Sequence, residues 1–354
     1  METFRFLDLP LVAKRHVLYV TPFIDIFNFS CISKNCYQVV KDTVITAWCC
    51  LTLKQECCEV RICTNIWNHQ FAWVFGEPGA YYKLVGEVTQ RNPVTIKGLE
   101  FKQKYDDKIR NILYLDYSEL PERINALFSY FSDLFHFTHY TSVHLDTSYT
   151  LFPEYRAKIA ALNPRKTEGL YVSTYLITEP DIRAMMDIFT ITVGIDFRVQ
   201  FQGYLDCSKF DSLRCVQFER ANVKPRAFLK LKTPNMYLEG VRFSEKILLR
   251  FVNKWLKSTD SKLESAIVKT QPTKNWYFID EFHQMLQTIP WHPKRRSKVY
   301  KWKEGYFFEN NNLLYEWDCS QARDIVRSDG VLASIRLTET SFEMFVWHKR
   351  FNDY

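Results

Sequence analysis

The chain has 354 residues, a formal charge of +7, and 47% hydrophobic, 25% charged and 16% aromatic residues. That composition buries a core and excludes disordered and fibrous classes. Its 10 glycines are few for folds built on glycine-rich phosphate loops, and no apolar run reaches the roughly 18 to 20 residues a bilayer requires, so no membrane partner is expected.

The first forty-odd residues predict three short helices. Pro10 suits the first turn of a helix, because its missing N–H would be unpaired there, and Ala13, Val17 and Val20 follow at helical spacing. Thr21 with Pro22 reads as the cap and first turn of a second helix, whose inward stripe is Phe23, Ile26, Phe27 and Ser30. Ser33 caps a third, which presents Cys36, Tyr37 and Val40. Helices of about ten residues are marginal alone in water, so these must lean on another surface.

From Cys57 to about Tyr117 apolar residues alternate with polar ones, including Val60, Ile62, Phe71, Trp73, Phe75, Leu84, Val88, Val94, Ile96, Leu99, Phe101, Leu113 and Leu115. Glu77-Pro78-Gly79 and Arg91-Asn92-Pro93 read as turns. A helix returns over Leu120 to Phe135. Beyond it, strands Ser142 to Leu145, Gly169 to Ser173 and Phe197 to Phe201 alternate with helices Glu154 to Leu162 and Glu179 to Phe189. Strand Asn235 to Leu238, a helix opened by Ser244 and Glu245 with the stripe Leu248, Phe251, Trp255 and Leu256, and strand Ser265 to Lys269 come next. Asn312 to Trp347 reads as strands around the turn Ser328-Asp329-Gly330.

Val143, Tyr171 and Val199 recur 28 residues apart. This spacing leaves two architectures open, a degenerate leucine-rich-repeat-like solenoid or an ordinary α/β layer, since the LxxLxLxxN consensus is absent. If the units stack, the strand surface around those three residues is the first place to look for a ligand. The fold class is therefore α+β or α/β: a short three-helix N-terminus followed by a large strand-helix domain. Boundaries fall at 1–48 and 49–354, the latter mainly β over 49–118, alternating over 119–270, and a basic tract with closing strands over 271–354.

The common active-site motifs are missing: GxSxG, HExxH, GxxxxGK[ST], GxGxxG and CxxC. Cys49, Cys50, Cys57, Cys58 and Cys63 lack zinc-knuckle spacing and read as buried packing. His136, His139 and His144 sit among Phe135, Phe137 and Tyr140, which favours a packed helix end over a metal site. Asp106 and Asp107 read as a solvated turn. No cofactor, metal ligand or catalytic residue is expected. Glu2, Arg5 and Asp8 stand where an export leader would be apolar, and ten cysteines without a leader read as reduced thiols. The expected location is cytoplasmic or nuclear, and the sequon Asn28-Phe29-Ser30 is incidental.

The positive charge is local. Gln284 to Lys303 holds Lys294, Arg295, Arg296, Lys298, Lys301 and Lys303 with no acid. Interleaved with Tyr300 and Trp302, this tract is a candidate for nucleic-acid binding or nuclear import; the alternative is a charged loop and strand edge.

Phe4-Arg5-Phe6-Leu7-Asp8-Leu9-Pro10, Val17-Leu18, Pro22 to Ser30 and Ile32 to Cys36 resemble an F-box in order and spacing, and specifically the nematode type. Val252-Asn253-Lys254-Trp255 and Asp324 to Ile335 resemble the type 2 F-box-associated domain that follows it. The resemblance implies the non-catalytic substrate receptor of a Skp–cullin–F-box ubiquitin ligase, with a Skp-family adaptor and through it a cullin as partners, and a protein substrate on the larger domain. Carried onto this chain, the adaptor contacts would be Leu9, Pro10, Val17, Leu18, Phe23, Ile26, Phe27 and Tyr37. Ala13-Lys14 and Tyr37 stand where such a domain often has an acid and a tryptophan.

Overall fold

Proline sets the entry into each of the first two helices. Pro10 (φ −58°, ψ 150°) precedes α1 (Leu11–Val20) and Pro22 (φ −53°, ψ 140°) precedes α2 (Phe23–Ile32). Both stand one position outside the helix in extended geometry rather than in its first turn. Thr21, expected to cap α2, closes α1 instead, its hydroxyl donating to Val17 O at 2.7 Å. Ser33 does cap α3 (Lys34–Asp42), accepting the Cys36 N–H at 3.1 Å and so satisfying one of the open amides of the first turn.

The computed structural model describes residues 6–43, 45–54, 57–64, 70–76, 88–106, 112–115, 120–137, 140–147, 159, 166–205, 207–220, 222–259, 262–270, 279–302 and 316–348. The predicted turn Glu77-Pro78-Gly79 and most of the helix Glu154 to Leu162 lie outside them. Contacts divide the chain into one unit of Met1–Glu168 with Met185–Thr190 and another of Gly169–Ala184 with Ile191–Tyr354. The three opening helices thus share a unit with the first sheet. No helix among the described residues is long and apolar enough to cross a membrane.

The first unit carries β1 (Ala47–Lys54), β2 (Cys57–Thr64), β3 (Gln70–Gly76), β4 (Val88–Ile96), β5 (Leu99–Asp106), β6 (Ile112–Leu115), α4 (Leu120–Phe135) and β7 (Tyr140–Thr147). The strand order is β7-β1-β2-β3-β6-β5-β4. β1 runs antiparallel to β2 with Leu51 opposite Val60 and parallel to β7 with Leu51 opposite Val143; Val60 in turn faces Trp73 on β3. Arg91-Asn92-Pro93 is no turn: it forms the irregular step of β4, where the register shifts between Arg91 and Val94. Proline has no N–H to give a ladder, and a bulge accommodates it. The hairpin turn lies at Lys97 and Gly98, both at positive φ.

What covers the short helices comes from this chain. Phe27 is fully buried, with ring centroids 5.1 Å from Trp73 on β3 and 5.6 Å from Phe131 on α4. Phe23 lies 5.5 Å from Phe135, and the Ser30 and Tyr130 hydroxyls meet at 2.7 Å. α3 is tied to α4 through Asp133, which accepts from Tyr37 Oη at 2.5 Å and Lys41 Nζ at 2.7 Å.

The second unit holds β8 (Lys166–Thr178), β9 (Thr190–Gln202), β10 (Cys215–Glu219), β11 (Asn235–Val241), β12 (Ser265–Thr270), β13 (Ile289–Pro290), β16 (Arg323–Val326), β17 (Leu332–Leu337) and β18 (Ser341–Trp347), in the order β8-β9-β10-β11-β12-β18-β17-β16-β13. A separate pair joins β14 (Val299–Lys301) to β15 (Glu316–Asp318). The connections carry α5 (Glu179–Ile188), the single turn α6 (Pro225–Phe228), α7 (Glu245–Leu256) and α8 (Ile279–Met285). β9 to β12 are parallel and each lies beside the next in sequence, while β16 to β18 are antiparallel. The predicted turn at Ser328-Asp329-Gly330 does separate β16 from β17, with Gly330 at φ 87°. At Gly194 a Cβ would stand 2.6 Å from Cys215 O, so only glycine allows β9 and β10 to pair there.

This run of parallel strands has the sequential order of a solenoid without its fixed period. Ile195, Val216, Met236 and Ala266 form one row across the strands, at uneven sequence intervals. Val143 lies on β7 of the first unit, paired with β1, so the 28-residue recurrence is not the structural repeat. Nor do Tyr171 and Val199 share a face. Tyr171 packs against the cluster of Cys215, Tyr237 and Ile267, whereas Val199 alternates with them on the apolar side of Ile195, Phe197, Val216 and Phe218.

Phe27→Ala should destabilise the first unit by about 3–5 kcal/mol, the range for emptying a buried aromatic site. Hydrogen exchange by mass spectrometry checks this: peptides of α2, β3 and α4 should lose protection together while those of β10 to β12 keep theirs.

Candidate functional site

The eight residues that the resemblance assigns to a partner fall into three groups. Leu18, Phe23, Ile26 and Phe27 are buried and face their own chain, so they form the floor under the surface rather than the surface itself. Leu9, Val17 and Tyr37 are half-buried, and Pro10 is exposed. The Tyr37 hydroxyl is held by Asp133; burial and that carboxylate push its pKa up, while Lys41 and Tyr37 hold the Asp133 pKa down.

The apolar surface left over lies elsewhere on the same helices. Val12 is 65% exposed and Val20 73%, with Leu11 and Tyr19 also exposed on α1; Ile32, at the end of α2, is 73% exposed. Val12, Tyr19 and Val20 recur at the seven- and eight-residue spacing that shares one side of a helix. Val20, at helical spacing from Ala13 and Val17, is exposed, and Leu18 is the buried residue of α1. The Arg15 guanidinium fixes α1 to the end of α3 by donating to Asp42 O at 3.1 Å. The signal was present in the sequence, as apolar residues falling on both sides of a ten-residue helix, more than one buried stripe absorbs.

Residues 6–47 match the F-box domain. The chain carries an F-box. No curated protein and no solved structure matches the chain. F-box domains in general bind a Skp-family adaptor and through it a cullin, within substrate-recognition subunits of Skp–cullin–F-box ubiquitin ligases. The match spans the three helices and ends at the first residue of β1.

Outside the F-box, the basic tract is largely neutralised. Arg296 has a fully buried side chain: its Nε donates to Asp324 Oδ1 at 2.8 Å and its Nη2 to Cys319 O at 2.9 Å, and its guanidinium lies 5.2 Å from the Trp347 ring. Arg295 reaches Asp324 Oδ2 at 3.0 Å. Lys301 pairs with Glu316, its register partner across β14 and β15, at 2.6 Å, and Lys298 stands 3.9 Å from Asp318. Lys294 is exposed, and Lys303 lies outside the described residues. Tyr300 and Trp302 are buried in the cluster with Phe345 and Trp347, so neither ring is available for stacking on bases. The acids that answer these cations are distant in sequence, which is why the tract looked unbalanced.

Among the described residues no group of three His, Cys, Asp or Glu is placed to hold a metal. Cys49, Cys57, Cys58 and Cys63 are buried and Cys50 is half-buried, all as free thiols. Burial pushes the Cys49 pKa well up, and a hydrogen bond with Cys50 together with burial raises that of Cys63, so both stay protonated at neutral pH and make poor ligands or nucleophiles. His144 Nε2 meets Ser142 Oγ at 3.0 Å, His136 is exposed at a helix end, and His139 and Asp107 lie outside the described residues.

One face of β9 to β11 is polar. Asp196, Gln217 and Tyr237 form one row and Arg198, Glu219 and Glu239 the next. Arg198 donates from Nε and Nη2 to Asp196 Oδ2 at 3.0 and 2.9 Å, while Asp196 Oδ1 and Gln217 Oε1 are buried acceptors with no donor among the described residues. Burial, working against Arg198, pushes the Asp196 pKa up to about 6. Protonated, Asp196 becomes a donor beside its register neighbour Gln217.

Two outcomes follow for this unit. Asp324→Ala leaves Arg296 buried without its counter-charge and should cost about 3–5 kcal/mol in urea unfolding, whereas Lys301→Ala, at a half-exposed pair, should cost less than about 1 kcal/mol. Because the folded pKa of Asp196 lies above the usual carboxylate value of about 3.9, the folded chain keeps a proton that the unfolded chain has released. Stability therefore falls as pH rises from about 4 to about 6. Asp196→Asn should match the parent near pH 4 and exceed it at pH 7 by up to about 3 kcal/mol; parallel urea midpoints across that range would exclude the effect.

Proposed function

We propose that this chain is a non-catalytic substrate receptor of a Skp–cullin–F-box ubiquitin ligase, acting in the cytoplasm or nucleus. The exposed side of α1 docks on the adaptor, and the second unit, in the role of an F-box-associated domain, holds a protein substrate for ubiquitin transfer. The observation that carries this reading is an apolar strip of Leu11, Val12, Tyr19 and Val20 left in solvent within a segment that matches the F-box. Exposed apolar area of this kind gains roughly 25 cal/mol per Å² when a partner covers it, before the costs of association. Phe27, Trp73 and Phe131 hold α2 against β3 and α4 without any partner, and Arg15 ties α1 to the end of α3. The strip therefore stands preformed, and adaptor binding need not fold it.

A nucleic-acid role for the Lys294 to Lys303 tract has less support, because its described arginines and two of its lysines already face acids within the chain.

Co-expression with a Skp-family adaptor followed by size-exclusion chromatography tests the docking. The parent chain should retain the adaptor. Val12→Asp and Val20→Asp should each weaken it by about tenfold or more, the scale of an interface hot spot, at an unchanged melting temperature. A parent chain that fails to retain the adaptor, while an established F-box succeeds beside it, would overturn the reading.

A further inference from the structure

In the second unit the C-terminal end of α7 meets the loops that lead into β11 and β12 around an open groove of about 620 Å³, counting the space at its mouth. Its apolar walls are Leu231, Phe251, Trp255 and Leu263, and Lys232 and Lys254 stand at its edge. Among the described residues no carboxylate lines it. Three more exposed lysines, Lys230, Lys257 and Lys262, lie on the same loops and helix end. Asp211 Oδ1 accepts the Lys232 backbone N–H at 3.0 Å, and the Lys254 ammonium donates to Leu229 O at 2.5 Å.

Two features distinguish this groove from a packing gap. Its four apolar walls are buried residues, yet the space between them is filled by no side chain of the chain. The Trp255 indole, held 5.0 Å from the Arg327 guanidinium, also has a buried Nε1–H with no acceptor among the described residues, a condition that an oxygen supplied from outside would relieve. Apolar walls, a donor in want of an acceptor and lysines at the edge together describe an occupant with an apolar anchor and negative charge beside it.

We propose that this groove binds an acidic peptide segment of a protein, seating one leucine or phenylalanine side chain between Leu231, Phe251, Trp255 and Leu263 while flanking Asp or Glu side chains meet Lys232 and its neighbours. The proposal deepens the receptor reading by naming the chemistry of the substrate, and it rests on that reading only for its biological purpose. Binding itself does not need the adaptor.

The test uses the full chain without adaptor and fluorescein-labelled acetyl-Asp-Glu-Asp-Leu-Phe-Asp-Glu-Asp, followed by anisotropy. This peptide should bind at least about tenfold more tightly than versions with Ala-Ala in place of Leu-Phe, or with lysine in place of every acid, and added salt should weaken it. Lys232→Glu combined with Lys257→Glu should lower affinity about tenfold at an unchanged melting temperature, and Trp255→Phe, which removes the donor, should lower it severalfold. Equal binding of the Ala-Ala peptide, equal binding of a single-stranded RNA oligonucleotide, or no saturable binding would each overturn the proposal. An adaptor retained by a chain that shows none of this binding sinks the groove alone; peptide binding by a chain that retains no adaptor sinks only the ligase role.

Discussion

The contact of Phe27 with Trp73 and Phe131 is the one on which the placement of the F-box depends. Three helices of nine or ten residues each cannot hold their shape in water, and α2 alone brings Phe23, Ile24, Ile26 and Phe27 to be buried. The aromatic ridge of α4 and the strand that carries Trp73 supply the surface they need. The tie of Tyr37 and Lys41 to Asp133 then fixes α3 to the same helix. With its inner face satisfied inside the chain, the F-box can present its outer face, α1, to a second protein. Buried and exposed apolar residues thereby lie on opposite sides of the same thirty or so residues.

The second unit divides its residues in a similar way, by the two faces of a sheet. Ile195, Phe197, Val216, Phe218, Met236 and Leu238 build an apolar layer, with Phe210 and Phe218 at 5.4 Å among its contacts. The opposite face carries Asp196, Arg198, Glu219 and Glu239. Buried charge here is tolerated only in networks: Arg296, Arg295 and Ser334 around Asp324, and Arg336, Trp317 and Ser341 around Glu343. Such networks add little net stability but are costly to break, so they fix which strand lies beside which.

Much of the local structure was legible before any coordinates. The Ser33 cap, the α4 stripe, the α7 stripe and the turn at Ser328-Asp329-Gly330 all follow from side chains acting on their own backbone within a few residues. The misplaced features share a different cause. Thr21 and Arg91-Asn92-Pro93 carry turn chemistry that the chain spent on a helix end and a bulge, because neighbouring strands and helices decided where the backbone had to go. The 28-residue recurrence failed because a repeat in sequence is a repeat in structure only when strand pairing keeps the same interval. The basic tract lost its appeal once Glu316, Asp318 and Asp324 came back across the fold to meet it.

What the sequence determined alone was the inventory: an amino-terminal F-box pattern, alternating strands and helices beyond it, and no active-site motif of a common kind. These are properties of residue type and spacing, which short-range forces translate directly. Tertiary structure decided which apolar residues became core and which became surface. Leu18 and Phe27 differ from Val12 and Val20 in nothing a composition can express; they differ because the fold covers one side of the helices and leaves the other to solvent. The groove beside Trp255 arises in the same way, from three segments distant in sequence whose side chains leave a space only once they are brought together.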